Sequence, residues 1–442
     1  MSPPLRLAWF SPLPPVRSGV AAYSAEVLPH LRRDHAVDCF LDEAASADNA
    51  CDAHDFVWRH RREPYDLVVY QLGNAPCHDY MWAYLAAYPG LVVLHDARLH
   101  HARARGLLSA SRAADYRAEF RFDHPDAVQD FAEYAIEGLS GPIYYFWSML
   151  RVVMGTARTI ATHNARVAAA LREEYPDAAI ERIRMGVPGA GSPREAVDAR
   201  TRVRRELAIP EDASVFVAFG KMTAEKRIGE ILRAFTALVA EEFNAYLVLV
   251  GDESECTSLD RDAGRTDRIR VTGYVDDDAI GAYLAGADVC LCLRWPTALE
   301  TSASWLRCLA ARRATVITDL PHLVDVPATD PRTWRATHAS REPIAVAIDL
   351  LDEEGSLLLA MRRLAADTAL RETLARAGHE HWLREHTLDA MAADYRRVIA
   401  AAAARPAPAP HGLPAHFTED HSDAARRIAR RFGARVDILG SG

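Results

Sequence analysis

The sequence predicts an α/β protein with two successive doubly wound domains that face each other across a cleft. Three observations predict it. The length of 442 residues corresponds to two or three domains of about 100 to 200 residues each. Short apolar runs alternate with helical patterns, as in buried parallel strands joined by crossover helices. The alternation stops at a segment rich in Pro, Gly and Ser, residues 185–193, and then restarts.

The composition excludes several classes of protein. With 50% apolar residues, 23 glycines and 24 prolines, the chain is neither collagen-like nor disordered. The 52 lysines and arginines are outnumbered by 61 aspartates and glutamates, and a net charge of −9 argues against nucleic-acid binding through a basic surface. The seven cysteines are odd in number and form no C-x-x-C pair, which indicates a reducing compartment rather than disulfides or a zinc site.

The amino terminus and the apolar segments predict where the protein works. Residues 1–4 lead directly into a strand-like segment instead of a signal peptide, so we expect a cytoplasmic protein. The longest apolar stretch, residues 143–154, contains Arg151 and is too short to span a bilayer. We predict a buried helix there, with a helix at a membrane interface as the alternative.

The first predicted domain comprises residues 1–190. It opens with a strand at residues 5–10 and a Pro-rich turn that ends at Ser18 and Gly19. The apolar face of the following helix consists of Val20, Tyr23, Val27, Leu28 and Leu31. Further predicted elements are strands at residues 66–70, 91–94 and 159–162 and a long helix near residues 98–122.

The second predicted domain comprises residues 191–387. Its predicted strands lie at residues 215–219, 246–250, 289–293 and 315–317. Its predicted helices lie at residues 225–241, 277–286 and 300–312. Because ligands of doubly wound sheets bind at the carboxyl ends of the strands, the strand-to-helix turns of both domains should line one cleft.

The remaining residues, 404–442, are predicted to be an extension. Residues 401–410 form an Ala/Pro tract that we interpret as a linker. Residues 424–432 could form a basic helix with four arginines. This helix either packs on the body of the protein with a solvated face or contacts an anionic partner or a membrane.

The turn at residues 220–227 (GKMTAEKR) is the best candidate for an anion site. It follows a strand and opens a helix, so free backbone N–H groups and the positive helix end would face the cleft. The cations Lys221, Lys226 and Arg227 suit a phosphate there. It is not a Walker loop, because the upstream glycine is absent and Met222 replaces the magnesium-binding serine or threonine. Exposed lysines without a ligand are the alternative.

A second turn, residues 294–304, again joins a buried strand to a predicted helix. Glu300 lies at the predicted helix start with Thr301, Ser302 and Ser304 nearby, and together they could bind several sugar hydroxyls. An acidic residue in a first helical turn is also ordinary capping chemistry, and capping is the alternative.

The first domain contributes two more candidates. His95 ends a buried strand and can donate a hydrogen bond or carry a charge near neutral pH, or it can be fixed by a backbone carbonyl. Gly19 opens a helix and allows a phosphate or sugar to approach the backbone closely, although a plain helix cap would look the same. The acidic run 276–278 looks like a metal motif, but we interpret it as a helix start and predict no metal.

In this order, the motifs resemble those of retaining glycosyltransferases of family 4, the group 1 transferases, which have the GT-B fold. The resemblance spans roughly residues 5–400. The matching segments are residues 11–15, 18–23, 95–96, 220–226, 271–275, 296–304 and 314–319. The resemblance implies two Rossmann-like domains and a final helix, about 388–403, that crosses back to brace the first domain.

The resemblance also implies roles for individual residues. The three catalytic residues would be His95, which approaches the reacting sugar, Lys226, which holds the donor diphosphate, and Glu300, which contacts the transferred sugar. The other donor-binding residues would be Gly19, Lys221, Gly273, Tyr274, Val275, Thr301 and Ser302. Within this set, residues 273–275 would receive the nucleotide base.

Two positions depart from the family pattern. Lys221 stands where arginine is common, and it offers a point charge instead of a bidentate fork. Cys308 stands eight positions after Glu300, where a second glutamate usually holds the donor ribose. Ribose recognition would therefore be weaker or come from other residues.

The sequence thus predicts a glycosyltransferase of polysaccharide or glycoconjugate biosynthesis. It would move a sugar from a nucleoside-diphosphate sugar to a hydroxyl acceptor (a glycan, a lipid-linked sugar or a small molecule), with retention and without a metal or cofactor. Its partners would be the donor and the acceptor, with no nucleic acid and with peripheral membrane contact left open. The alternatives are a non-catalytic sugar-nucleotide-binding protein and a nucleotide-sugar epimerase on the same fold.

Overall fold

The structure is a computed structural model that describes residues 4–42, 50–139, 141–252, 267–419 and 422–434. Within these residues, the first sheet has seven parallel strands. They are β1 (Arg6–Phe10), β2 (Ala36–Leu41), β3 (Ala50–Asp52), β4 (Leu67–Leu72), β5 (Leu91–Leu94), β6 (Thr159–Thr162) and β7 (Ile180–Arg182). Their order across the sheet is β3-β2-β1-β4-β5-β6-β7.

The second sheet, counted over the same described residues, also has seven parallel strands. They are β8 (Ser214–Phe219), β9 (Ala245–Val250), β10 (Ile269–Val271), β11 (Val289–Cys292), β12 (Ala314–Thr318), β13 (Ala328–Thr329) and β14 (Ala345–Ile348). Their order is β10-β9-β8-β11-β12-β14-β13. In each sheet the strand order reverses at its first strand, β1 or β8, and such a switch point is where doubly wound sheets bind ligands.

Helices connect the strands of both sheets. Those of the first half are α1 (Gly19–Leu31), α2 (Phe56–Arg62), α3 (Met81–Leu85), α4 (His100–Ser109), α5 (Ala113–Asp123), α6 (Asp130–Ile136), α7 (Arg151–Thr156) and α8 (Ala165–Glu174). Those that follow are α9 (Pro193–Glu206), α10 (Ile228–Ala240), α11 (Asp277–Gly286), α12 (Ala303–Ala310), α13 (Glu353–Ala366), α14 (Thr368–Glu385), α15 (Leu388–Ala404) and α16 (Asp423–Arg431).

The central strands are buried on both faces. Every residue of β4, β5, β6 and β12 is buried, as expected for parallel strands that carry helices on both sides of the sheet. Their continuous runs of Val, Leu, Ile and Thr supply the apolar surface that holds the helices in place. The carboxyl ends of the two sets of strands are thereby held as rigid edges.

Helix α15 crosses back onto the first sheet. Its residues Met391, Tyr395, Val398 and Ile399 are fully buried in one apolar cluster with the helix α1. The chain crosses between the two halves at Gly186, where a Cβ atom would lie 2.5 Å from the carbonyl oxygen of Thr387. Glycine is therefore required at this crossing.

Several predicted helices differ from the structure. The long helix predicted near residues 98–122 is two helices, α4 and α5, because Ser111 between them has a left-handed φ of 58°. Residues 143–154 do not form one buried helix, because Met149 has a φ of 53°, and only α7 is helical after it. The helix predicted at residues 225–241 begins at Ile228, since Arg227 also has a left-handed φ of 58°.

The extension packs in part on the first sheet's helices. The ring of Phe417 contacts that of Trp82, and Nε2 of His416 lies 2.7 Å from Oε1 of Glu119 on α5. Helix α16 exposes Arg427, Arg430 and Arg431, and Phe432 after it is 82% exposed.

The described residues contain no helix that combines the length and apolarity needed to cross a bilayer. The six cysteines among them are free thiols. The seventh, Cys256, and the end of the extension, residues 435–442, lie outside the described residues.

Candidate active site

The carboxyl ends of the two sheets face each other and touch at several points. The backbone N–H of Ala97, after β5, donates to the carbonyl of Ala298, after β11, at 2.8 Å. The hydroxyl of Tyr145 donates to Oε1 of Glu225 at 3.0 Å. These bonds join turns that belong to opposite sheets, so the cleft is closed here.

Lys226 is folded back over the turn at the end of β8. Its Nζ atom donates to the carbonyl oxygen of Phe219 at 2.5 Å. Gly220 in this turn has a φ of 105°, and a Cβ atom there would lie only 2.3 Å from Nζ of Lys226. Burial, followed by the positive charge of Arg294, lowers the pKa of Lys226 to about 8. The turn thus holds a half-buried cation that keeps most of its charge at neutral pH, while Lys221 at the same turn is exposed.

Glu300 lies before helix α12, in the turn that follows β11. Its Oε1 atom pairs with Nε of Arg294 at 2.7 Å, and its Oε2 atom accepts from the hydroxyl of Thr297 at 2.9 Å. The alternative that Glu300 caps the helix is wrong, because Ser302 is the cap residue and accepts from the N–H of Trp305 at 3.2 Å. The helix predicted from residue 300 therefore begins at residue 303.

His95 is held by a buried polar chain that ends on α15. Its Nε2 atom donates to Oε1 of Gln71 at 2.9 Å, and the Gln71 amide donates to the hydroxyl of Tyr395 at 3.0 Å. Tyr395 also accepts from the hydroxyl of Tyr23 at 2.8 Å. Burial, together with neighbouring His163, lowers the pKa of His95 well below its usual range, so the ring is neutral.

Asp96 belongs to the matching segment 95–96, and the sequence alone predicted no role for it. Its Oδ2 atom accepts from the backbone N–H of Asn74 at 2.7 Å. Burial and the charge of Glu300 raise the pKa of Asp96 to about 7. A carboxyl group of the first half therefore faces a carboxyl group of the second half. In the sequence, the position of Asp96 after the buried strand β5 is the one sign that it lies in the cleft.

The other predicted residues lie at the edges of the cleft. Gly19 is the first residue of α1, whose cap is Ser18, and a Cβ atom at Gly19 would meet nothing within 4 Å. Gly273 has a φ of 68° in the turn before α11, where Val275 also lies. The guanidinium of Arg17 covers the ring of Tyr274 at 3.9 Å from its centroid. The acidic run begins α11, with two of its residues in the first turn.

Thr301, Ser302 and Glu300 also line a chamber of about 550 Å³. The chamber lies between the turn after β6 and the turn after β12, on the side of the cleft where the chain crosses between the two halves. Lys226, His95, Gly19 and Gly273 do not line it. The predicted residues thus fall into two groups that meet at Glu300.

Cys308 is buried on α12, with its sulfur 3.8 Å from that of Cys292. Burial raises the pKa of Cys308 well above its usual range, so the side chain is a neutral thiol. The position that resembles the second glutamate therefore carries no charge.

Comparisons with known proteins show what this chain resembles. The family model described as "Glycosyl transferases group 1" matches residues 213–351. The lipopolysaccharide core biosynthesis glycosyltransferase LpsD of Rhizobium meliloti strain 1021 is 33% identical over 181 residues, which are 40% of this chain and 46% of the relative. The match therefore spans less than half of the relative's length.

Solved structures resemble almost the whole chain. Sucrose-phosphate synthase from Thermosynechococcus elongatus has a TM-score of 0.62 at 16% identity and covers 90% of this chain and 100% of its own. HepE of Anabaena, in complex with UDP and glucose, has a TM-score of 0.59 at 10% identity, with 90% and 99% covered. The predicted resemblance to group 1 glycosyltransferases and the predicted GT-B fold with two Rossmann-like domains are confirmed.

Proposed function

We propose that the protein is a glycosyltransferase that moves a sugar from a nucleoside-diphosphate sugar to a hydroxyl acceptor. The observation that carries this proposal is the half-buried ammonium group of Lys226 at the end of β8, the switch-point strand of the second sheet. Arg294 and Glu300 follow the adjacent strand β11, and the match to group 1 transferases includes all three residues.

Charge explains how this arrangement would act. Cleavage of the bond between the anomeric carbon and the phosphate leaves a nucleoside diphosphate with additional negative charge. Lys226, Lys221 and the N–H groups at the start of α10 would stabilise that charge without a metal ion. Fixed charges in a cleft that excludes water need no rearrangement as the bond breaks, so they stabilise the transition state efficiently.

For a transfer with retention, the position of Glu300 supports a front-face route over a double displacement. A double displacement requires a carboxylate that is free to attack the anomeric carbon. Both carboxylate oxygens of Glu300 are engaged, one by Arg294 and one by Thr297. Glu300 is therefore suited to accept hydrogen bonds from the sugar, and the departing phosphate would itself deprotonate the acceptor hydroxyl on the same face.

The two halves would have different tasks. We assign donor binding to residues 191–387 and the acceptor side to residues 1–190 with α15. The relative described as a lipopolysaccharide core enzyme supports a glycan acceptor in glycoconjugate synthesis. Gly19 and His95 would face the diphosphate and the reacting sugar, and residues 273–275 the base. A cytoplasmic enzyme whose basic helix α16 contacts a membrane peripherally fits such an acceptor.

Release of nucleoside diphosphate tests the proposal. We expect slow release from at least one member of a panel of UDP-, GDP-, ADP- and TDP-sugars without acceptor. Lys226→Met should lower this rate by about 10² to 10³, the usual cost of one transition-state donor. The matched control is Arg194→Gln, an exposed residue on α9, which should leave the rate unchanged. Equal rates for wild type and Lys226→Met would contradict the assignment.

The neutral thiol of Cys308 favours one alternative, a non-catalytic protein that binds sugar nucleotides. Such a protein would bind a nucleotide sugar in calorimetry but release no nucleoside diphosphate in the same buffer. An epimerase would instead convert the nucleotide sugar into its isomer, which chromatography of the recovered nucleotide detects.

A further inference from the structure

The chamber that Glu300, Thr301 and Ser302 line lies where the chain crosses between the two halves, and we call it the hinge-side chamber. It contains a histidine with an unpartnered ring nitrogen. His163 is only 4% exposed, and its Nδ1 atom donates to the carbonyl of Ile183 at 2.9 Å. Burial lowers the pKa of His163 to about 4, so the ring is neutral and its Nε2 atom is a bare acceptor. That atom is buried and has no partner among the described residues. A hydroxyl group of a ligand is the donor that it lacks.

Three further buried polar atoms of residues that line the chamber lack partners within the described part of the chain. They are Oγ1 of Thr301, Nδ1 of His322 and Nε of Arg182. A buried polar group without a partner costs about 1–3 kcal/mol, so four in one chamber are difficult to explain by folding alone. A polar ligand would satisfy several of them together.

The chamber wall formed by the end of α14 carries charges of both signs. Burial and the charges of His386, Arg384, Arg341 and Arg182 lower the pKa of His381 there to about 4. Two acidic residues of this wall, Glu342 and Glu380, are both paired with Arg376, which does not line the chamber. Over the described residues, Arg384 forms neither a hydrogen bond nor an ion pair. The third acidic residue, Glu385, pairs with Arg182 at 3.8 Å, so Arg384 is the cation of this wall that suits an anionic group.

We propose that the hinge-side chamber binds a phosphorylated sugar. Its hydroxyl groups would donate to His163 and contact Thr301, and its phosphate would lie against Arg182 and Arg384. The volume of about 550 Å³ is within the range of small-molecule sites. Binding does not depend on the proposed transfer reaction, but the role of a ligand beside Glu300 does.

Calorimetry with the full chain tests this site. The probes are glucose 6-phosphate, mannose 6-phosphate and glucose 1-phosphate, with glucose and inorganic phosphate as controls. At least one hexose phosphate should bind at least tenfold more tightly than either control. His163→Asn keeps a donor for Ile183 and removes only the bare nitrogen, and Arg384→Gln removes the charge. Each should weaken binding about tenfold, whereas Arg194→Gln should not.

Several results would overturn the proposal. They are the absence of binding by all three hexose phosphates, inorganic phosphate binding as tightly as they do, and equal affinity in both variants and wild type. Titration of the same variants with UDP distinguishes loss of the chamber site from misfolding, because correctly folded His163→Asn and Arg384→Gln should bind UDP as wild type does. Lys226→Met should lose UDP binding but keep the hexose phosphate, so the two proposals can fail separately.

The same probe distinguishes two uses of the site. If the bound hexose phosphate is an acceptor, incubation with the donor yields a product that carries both sugars, detected by mass spectrometry. If it is an effector, the rate of nucleoside diphosphate release changes without such a product. Both results support the chamber as a binding site.

Discussion

The carboxyl group of Asp96 interacts across the cleft with the negative charge of Glu300. The native pKa of about 7 lies above the value near 3.9 that an unfolded aspartate has. The native state therefore holds an additional proton between about pH 4 and pH 7. Because the folded state binds more protons than the unfolded state, stability falls as the pH rises through this range.

Replacement of this carboxyl group should therefore stabilise the protein at alkaline pH. Asp96→Asn keeps an oxygen that accepts from Asn74 and removes the buried charge. We expect the urea midpoint to rise at pH 8 by the equivalent of about 4 kcal/mol of unfolding free energy, since about three pKa units are lost at about 1.4 kcal/mol each. The difference from wild type should grow between pH 4 and pH 7 and then stay constant.

The control for this measurement is Asp198→Asn, an exposed aspartate on α9. Its stability difference from wild type should not change with pH in this range. A pH-independent difference for Asp96→Asn would show that burial and the charge of Glu300 do not raise the pKa of this carboxyl group in solution.

Residue types and local sequence predicted part of the candidate site. Lys226 and Glu300 were found because each follows an apolar strand and precedes a helical pattern, which is local information. Gln71 was missed because a glutamine within an apolar run carries no signal of its own. His163 was missed although it follows the predicted strand 159–162 as His95 follows the strand 91–94, so the same local signal was present. Their importance depends on partners far away in the chain, such as Tyr395.

Among the elements, helix α15 supports the site through one hydroxyl group. Tyr395 accepts from Tyr23 and from Gln71, and Gln71 in turn holds His95. All of these groups are buried or nearly so. Helix α15 therefore helps to orient His95, the catalytic candidate that follows β5.

Loss of the Tyr395 hydroxyl should lower the free energy of unfolding. Tyr395→Phe leaves the hydroxyl of Tyr23 and the amide of Gln71 without their acceptor. We expect a destabilisation of about 1–3 kcal/mol in urea unfolding, the usual cost of unpaired buried polar groups. Tyr134→Phe, at an exposed tyrosine on α6, is the control and should change stability little. An unchanged midpoint for Tyr395→Phe would contradict the bracing role.

Element prediction succeeded for most strongly apolar strands. It missed β2, in which Asp38 interrupts the apolar run, and it missed β13, β14 and the three-residue strands. Strands β4, β5, β8 and β9 were predicted because their apolar runs are continuous. Strands β3, β7 and β10 have three residues each and contain charged side chains, so no pattern distinguishes them from loops. They pair at sheet edges only because their neighbours are already in place.

At the scale of the whole molecule, direct contacts across the cleft hold the halves together. Arg307 on α12 pairs with Glu26 on α1, and Arg166 pairs with Asp325 at 2.9 Å. A ligand that bridges the halves would add to these contacts. Binding to the native state alone shifts the unfolding equilibrium by mass action.

A thermal-shift screen of UDP-, GDP-, ADP- and TDP-sugars should therefore identify the donor. A donor at 100 times its Kd would add about 2.7 kcal/mol of stability and raise the unfolding temperature. Lys226→Met should abolish this rise, whereas Arg194→Gln should keep it. A shift of the same size for all four nucleotides would show that the base is not recognised.

The sequence by itself determined the two α/β halves, the order of strand, turn and helix, and the turns that carry Lys226 and Glu300. These features depend on hydrophobic periodicity and on turn residues, which act over a few positions. Only the tertiary structure decided that Asp96 faces Glu300 and that His163 lies in a chamber with Arg384. Those contacts join residues up to about two hundred positions apart, and they form only when both sheets and the returning chain are packed together.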